Sequence, residues 1–241
     1  MILYQNISQG EFVDRPNRFI AHVKRGGEEL TCHVKNTGRC RELLLPGGKV
    51  YLEESSNPAR KTRFDLVAVE KRRENASPLL INMDSQAPNA VAEEFLLSSS
   101  LFPGEKIVKR EVTFGESRFD FHVHTPEEEW FIEVKGVTLE NGGVASFPDA
   151  PTLRGRKHLL ELVNVVKSGK KAMVLFVIQM KECHTFTPNF ERDEAFAQTL
   201  AFAREHGVKL LAMDCLVTPE SMTIDKEVPV KLQIVPCNHG F

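Results

Sequence analysis

Three residues near the middle of the chain have the types and spacing to do chemistry: Asp120 in Arg118-Phe119-Asp120-Phe121, and Glu133 and Lys135 in Trp130-Phe131-Ile132-Glu133-Val134-Lys135. Residues two apart on a strand share a face, so Glu133 and Lys135 point the same way while Ile132 and Val134 pack behind them. If a neighbouring strand brings Asp120 to the same spot, two carboxylates and an amine converge. Such a group holds a hard divalent cation through oxygens and places an ammonium beside an attacking water, which suits the cutting of a phosphodiester. A Glu-x-Lys pair also occurs on solvated strand faces. Here the apolar run from Trp130 to Val137 argues for burial, where an unpaired lysine is costly and needs a partner or a purpose.

The elements that must position these residues follow from periodicity. Short strands are expected at Phe19–Val23, Leu30–Val34, Lys49–Leu52, Asp65–Val69 and Leu79–Ile81, broken by Gly, Pro and Asn, which suggests an OB-like β-barrel over residues 1–83. From residue 84 to residue 241 the pattern becomes α/β. A helix is expected over Pro88–Ser100, then strands at Ile107–Phe114, Phe119–Val123 and Trp130–Val137. Thr152 is the expected N-cap of a second helix whose buried side carries Leu159, Leu160, Val163 and Val166. A strand at Met173–Ile178, a helix from about Asp193 to His206 ended by Gly207, and a strand at Val208–Met213 complete the reading. Each half is long enough to carry a core of its own.

At 241 residues and 41% hydrophobic content, disorder is excluded. The net charge of −2 excludes a uniformly basic coat, but its distribution is uneven. Residues 15–41 carry seven Lys/Arg against two acids, residues 153–171 six against one, and residues 84–133 eleven acids against four bases. Basic edges around an acidic middle suit a protein that grips phosphate with its flanks and metal with its centre. No signal peptide or apolar run long enough to span a bilayer is read, so a cytoplasmic protein with no membrane partner is expected. Cys32, Cys40, Cys183, Cys215 and Cys237 form no Cys-x-x-Cys, and Cys183-His184 reads as an ordinary thiol and histidine.

Two loops could hold phosphate. Asn36-Thr37-Gly38-Arg39-Cys40-Arg41 and Asn57-Pro58-Ala59-Arg60-Lys61-Thr62-Arg63 both combine turn residues with arginines. The second helix adds Arg154, His158 and Glu161 along one polar stripe. Asn36, Arg39, Arg41, Arg60, Lys61, Arg63, Arg154, Lys157 and His158 are therefore the candidate DNA-binding residues, acting mainly on the phosphate backbone.

The Asp120, Glu133, Lys135 pattern resembles the signature of the PD-(D/E)XK nuclease superfamily. Asn36-Thr37-Gly38-Arg39, Pro46-Gly47, Arg60-Lys61-Thr62, Glu111, Ser117 to Phe121, Glu133 to Leu139, Phe147-Pro148-Asp149-Ala150 and Arg154 to Leu159 occur in an order similar to the sugar fermentation stimulation protein A family. Cys40 stands where that family often has methionine. The resemblance implies an OB-like N-terminal domain, a PD-(D/E)XK nuclease-like α/β domain, and DNA binding with little sequence preference. It also implies a Mg2+ or Mn2+ site at Asp120, Glu133, the Val134 carbonyl and Glu94, with Lys135 acting on the attacking water. The alternative is a regulator of sugar-utilisation genes that keeps this site without turnover. A homodimer is compatible with either.

Overall fold

The computed structural model describes residues 1–36, 38–74 and 76–232, so Thr37 of the first basic loop and Cys237 lie outside it. The N-terminal half comprises β1 (Ile7–Asn17), β2 (Ile20–Arg25), β3 (Glu28–Val34), β4 (Lys49–Glu54), β5 (Phe64–Arg73) and β6 (Ala76–Asn82). The chain continues as α1 (Ala87–Ser98), β7 (Ile107–Phe114), β8 (Ser117–His124), β9 (Glu129–Val137), β10 (Leu139–Asn141) and β11 (Val144–Phe147). It ends in α2 (Leu153–Lys167), β12 (Lys171–Ile178), β13 (Thr185–Pro188), α3 (Glu194–Glu205), β14 (Lys209–Val217) and β15 (Met222–Glu227).

The N-terminal sheet has the order β3-β2-β1-β4-β5-β6, and β3 also pairs in parallel with β5. The pairings thus close a circuit through β1, β2, β3, β5 and β4. The expected strands are all present, but β1 was not foreseen. Its sequence, Ile-Ser-Gln-Gly-Glu-Phe-Val-Asp-Arg-Pro-Asn, lacks apolar alternation, and only Phe12 is deeply buried along it. Gly10 is required there, since a Cβ would lie 2.4 Å from Val23 Cγ1 and 3.1 Å from the Lys24 carbonyl.

The second large sheet has the order β15-β14-β12-β9-β8-β7, parallel across β9, β12 and β14 and antiparallel at both flanks. Its central strand β12 alternates Met173, Leu175 and Val177 toward α1 with Val174, Phe176 and Ile178 toward the opposite side. Helix α2 buries Leu159 and Val163 as expected, but Leu160 is 47% exposed and Leu162 is fully buried. At about 100° per residue, the stripe continues 159, 162, 163, 166 and turns residue 160 outward.

The two halves share a core. One hydrophobic cluster runs from Phe12, Leu52 and Ile81 to Phe119, Phe176 and Phe186. Across the junction, Gln179 Nε2 donates to the Asn82 carbonyl at 3.1 Å, Asn82 Oδ1 at 2.9 Å and the Asp84 carbonyl at 3.0 Å. Lys71 reaches Glu140 and Arg73 reaches Glu182. Among the described residues no helix is long and apolar enough to cross a membrane.

Candidate functional site

The site forms where two strands part. β8 and β9 pair from His124↔Glu129 as far as Phe121↔Ile132. Phe121 packs in the cluster with α1, whereas Phe119 packs in the opposite cluster, so β8 turns over at Asp120. Beyond the last pair the Val134 N–H has no partner on β8's backbone, and Asp120 Oδ2 accepts it at 2.8 Å. Asn89 Nδ2, from α1, donates to Asp120 Oδ1 at 2.9 Å. In an extended strand the N–H and C=O of one residue leave by the same edge, so the Val134 carbonyl faces this gap too.

Glu133 lies on the α2 side of β9 and is 3% exposed. Its Oε1 accepts from Lys135 Nζ at 2.6 Å and lies 2.6 Å from His158 Nδ1. Its Oε2 is buried without a hydrogen-bond partner among the described residues. Burial pushes the Glu133 carboxyl up, but the His158 ring and the Lys135 ammonium outweigh it and hold the group below its ordinary value. Asp120 shifts the other way, raised by burial and then by the Glu133 carboxylate. The two acids therefore repel across the fork.

His158 reaches Glu133 because α2 is pinned at its start. Thr152 Oγ1 caps the Gly155 N–H at 3.0 Å, and Asp193 Oδ2 accepts the Thr152 N–H at 2.8 Å. Gly155 lets α2 approach its neighbour, for a Cβ there would meet Phe196 at 3.3 Å. The buried His158 ring lies edge-on to Phe119, centroids 6.0 Å apart. It supports the carboxylate rather than facing a ligand, contrary to its assignment among DNA contacts.

Glu94 is not brought to this cluster. Its Oε2 accepts from the Met1 amine at 3.2 Å, while Asn89, five residues earlier, is the α1 side chain on Asp120. Four residues after Asn89 the same face presents Glu93, which pairs with Arg110, so Glu94 is turned about 100° away. Among the described residues no three His, Cys, Asp or Glu side chains form a ready metal cluster.

The basic loops divide. The first borders a groove of about 640 Å3 lined by Arg15, Arg18, Arg39, Arg41, Asp149 and Pro151 among others. Arg15, which the motif reading missed, organises it: Nη1 donates to the carbonyls of Gly38 and Arg39, both at 2.9 Å, and Nη2 to those of Arg18 and Asn36, both at 2.6 Å. Asn36 folds back to accept from the Gly38 N–H at 2.8 Å, which makes it a loop former. The Arg39 N–H donates to Asp149 Oδ2 at 3.1 Å. Gly38 and Asp149 also line a smaller cavity of about 220 Å3 that includes Gly136, the residue after Lys135, and Gln179.

In the second loop, Arg60 is committed to the buried Asp65 through bonds of 2.8 and 2.6 Å, and Arg63 donates to Glu54, 2.7 Å from Nε to Oε1. Lys61 is exposed. This loop is therefore mostly self-paired. Arg154 is exposed at the start of α2, and Lys157 pairs with Glu116 at 3.1 Å.

Residues 13–77 match a family described as the SfsA N-terminal OB domain, and residues 86–221 match the sugar fermentation stimulation protein RE domain. A sugar fermentation stimulation protein homolog of Clostridium beijerinckii is 50% identical over 229 residues, covering 95% of this chain and 99% of that protein. One from Desulfitobacterium hafniense is 52% identical over 229 residues, covering 95% and 98%. Among solved structures, the chain is similar to Pyrococcus furiosus SfsA in complex with Ca2+, with a TM-score of 0.82 at 28% identity, over 96% of this chain and 98% of that one.

Proposed function

Because the chain belongs to the sugar fermentation stimulation protein family, we propose that it binds DNA phosphates along the Arg18, Arg39, Arg41 groove and holds a divalent cation at Asp120 and Glu133, in a centre of the phosphodiester-hydrolysing type. The observation that carries this reading is Glu133 Oε2, a buried carboxylate oxygen with no hydrogen-bond partner among the described residues, beside an Asp120 whose ionisation that same carboxylate opposes. Orphaned buried oxygens are rare, and an ion is one of the few things that satisfies them. The donors are all oxygen, which suits Mg2+ or Mn2+, and Mg2+ commonly uses only one or two carboxylates and keeps waters. Pyrococcus furiosus SfsA was solved with Ca2+, another oxygen-preferring cation, which supports the same choice.

Asp120, Glu133 and the Val134 carbonyl would hold the ion, which as a Lewis acid would polarise the scissile phosphate and the attacking water. Glu94 drops out of the ligand set. The chain's own residues do the rest. His158 keeps Glu133 ionised and oriented, Asn89 fixes Asp120, and Lys135, held against Glu133, supplies a positive charge beside the place of the ion and the attacking water. In this reading the closed N-terminal circuit is an OB-type barrel supplying backbone grip, and the second sheet with its helices is a nuclease-like domain. Binding has little sequence preference, because arginines on phosphate carry no base information.

One observation favours a DNA-binding regulator without turnover: Lys135 and His158 both close on Glu133 Oε1, so the ammonium is engaged with the carboxylate rather than aimed outward. Titration with Mn2+ followed by cleavage assays on single-stranded, duplex and branched DNA separates the readings. Mn2+ binding that Asp120→Asn and Glu133→Gln abolish, together with cleavage, is the expected result. Binding without cleavage gives the regulator, and unaltered binding in both variants removes the metal centre.

A further inference from the structure

We propose that the groove takes an unpaired nucleic-acid strand in preference to a duplex, with Phe19 as the surface on which a base stacks. This rests on the phosphate-binding reading of the groove. Phe19 is 51% exposed although aromatic rings are normally withdrawn from water. It is not on a loose loop. Asn17 Oδ1 accepts from the N–H groups of Phe19 at 2.9 Å and Ile20 at 3.1 Å, and the Phe19 carbonyl accepts from the Val34 N–H at 2.8 Å. The turn thus presents the ring from a backbone fixed on both sides. Its chain neighbour Arg18 lines the groove.

Two more large apolar side chains are exposed close in the chain to residues that line the groove. Leu45, 54% exposed, follows the lining residue Leu44, and Leu153, 79% exposed, lies two residues after the lining residue Pro151. The charge beside them is complementary to phosphate. Arg18, Arg39 and Arg41 are exposed, and the acid among the lining residues, Asp149, is occupied by the Arg39 N–H. An exposed ring beside arginines suits a strand whose bases are free, since a base locked in a duplex offers no face to stack on.

Fluorescence anisotropy on the full chain at one fixed salt concentration tests this, using an oligothymidine of about 16 nucleotides and a blunt duplex of equal length. The strand should bind roughly tenfold more tightly than the duplex, and Phe19→Ala should weaken the strand roughly tenfold while leaving the duplex unchanged. Phe19→Trp should retain strand binding. Arg39→Ala with Arg41→Ala should weaken both. Circular dichroism confirms that the variants fold, which the exposure of Phe19 favours. Equal affinity for strand and duplex, or a Phe19→Ala variant that binds the strand as wild type does, overturns the stacking proposal while the arginine variant still supports phosphate binding. An arginine variant that binds both ligands normally overturns the groove reading and this proposal with it.

Discussion

Glu133 has one oxygen with two close neighbours and one with none, and that asymmetry can be tested at single residues. His158→Phe keeps a ring against Phe119 but removes the nitrogen from Glu133. Burial is the largest influence on this carboxyl and acts upward, so losing His158 should raise its pKa toward or past the ordinary 4.5. A cation binds the ionised form, so Mn2+ affinity should fall more steeply below neutral pH in the variant than in wild type, measured by calorimetry at several pH values. Glu94→Ala should leave Mn2+ affinity within about twofold, as expected for an exposed side chain away from the ligands, whereas Asp120→Asn should abolish the response. The pairing of Glu133 with Lys135 was legible because the strand period alone fixes a shared face, whereas helical spacing put His158 on a polar stripe with Arg154 and carried no sign that packing buries its ring on Glu133. Glu94 lies apart from Asp120 because the phase of α1 against the sheet is set by tertiary packing, and no pattern within residues 87–98 records which side chain meets Asp120.

At the scale of elements, β3, β4 and β5 and the link to α1 are fastened around one lysine. Lys35 Nζ lies 3.6 Å from Glu53, 3.5 Å from Asp65 and 3.4 Å from Asp84. Asp65 also takes Arg60 through two bonds and lies 3.1 Å from His33. Burial pushes the Asp65 carboxyl up, but Arg60, Lys35 and His33 outweigh it and keep it below its ordinary 3.8. A lowered carboxyl stabilises fully above the unfolded value and loses that contribution as pH falls through the lower folded one. Asp65→Asn takes the carboxylate from Arg60 while Lys35 keeps Glu53 and Asp84, so it should cost about 1–3 kcal/mol in urea unfolding at pH 7 and flatten the acid-induced loss of stability below about pH 4. A loss under about 1 kcal/mol would show that water already serves these cations. None of this was readable beforehand. Arg60 looked like a phosphate donor because its partner's burial depends on β5 pairing with both β3 and β4. β1 was hidden for a related reason: as a largely polar strand between β2 and β4, it is specified by its neighbours' hydrogen-bonding edges more than by its own side chains.

For the molecule as a whole, the boundary near residue 83 divides sequence patterns but not packing. Phe12 and Leu52 sit in one cluster with Phe176 and Phe186, and Gln179 holds both Asn82 and Asp84. Scanning calorimetry of the full chain should therefore show one transition with equal calorimetric and van't Hoff enthalpies. A fragment beginning at residue 84 should melt broadly or bind a hydrophobic dye, and a sharp independent melt would refute the shared core. The sequence showed where strand periodicity yields to helix periodicity, but it held no sign that the cluster runs through that point, since apolar residues do not announce which apolar residues they meet. The shared core also bears on descent. A change of volume at Leu52 or Ile81 is felt by side chains more than a hundred positions away, so relatives should have drifted in matched pairs across the junction. A chimera joining residues 1–83 of one relative to the remainder of another should then inherit mismatched halves, and it should recover when the residues facing each other across the shared cluster are taken from the same parent.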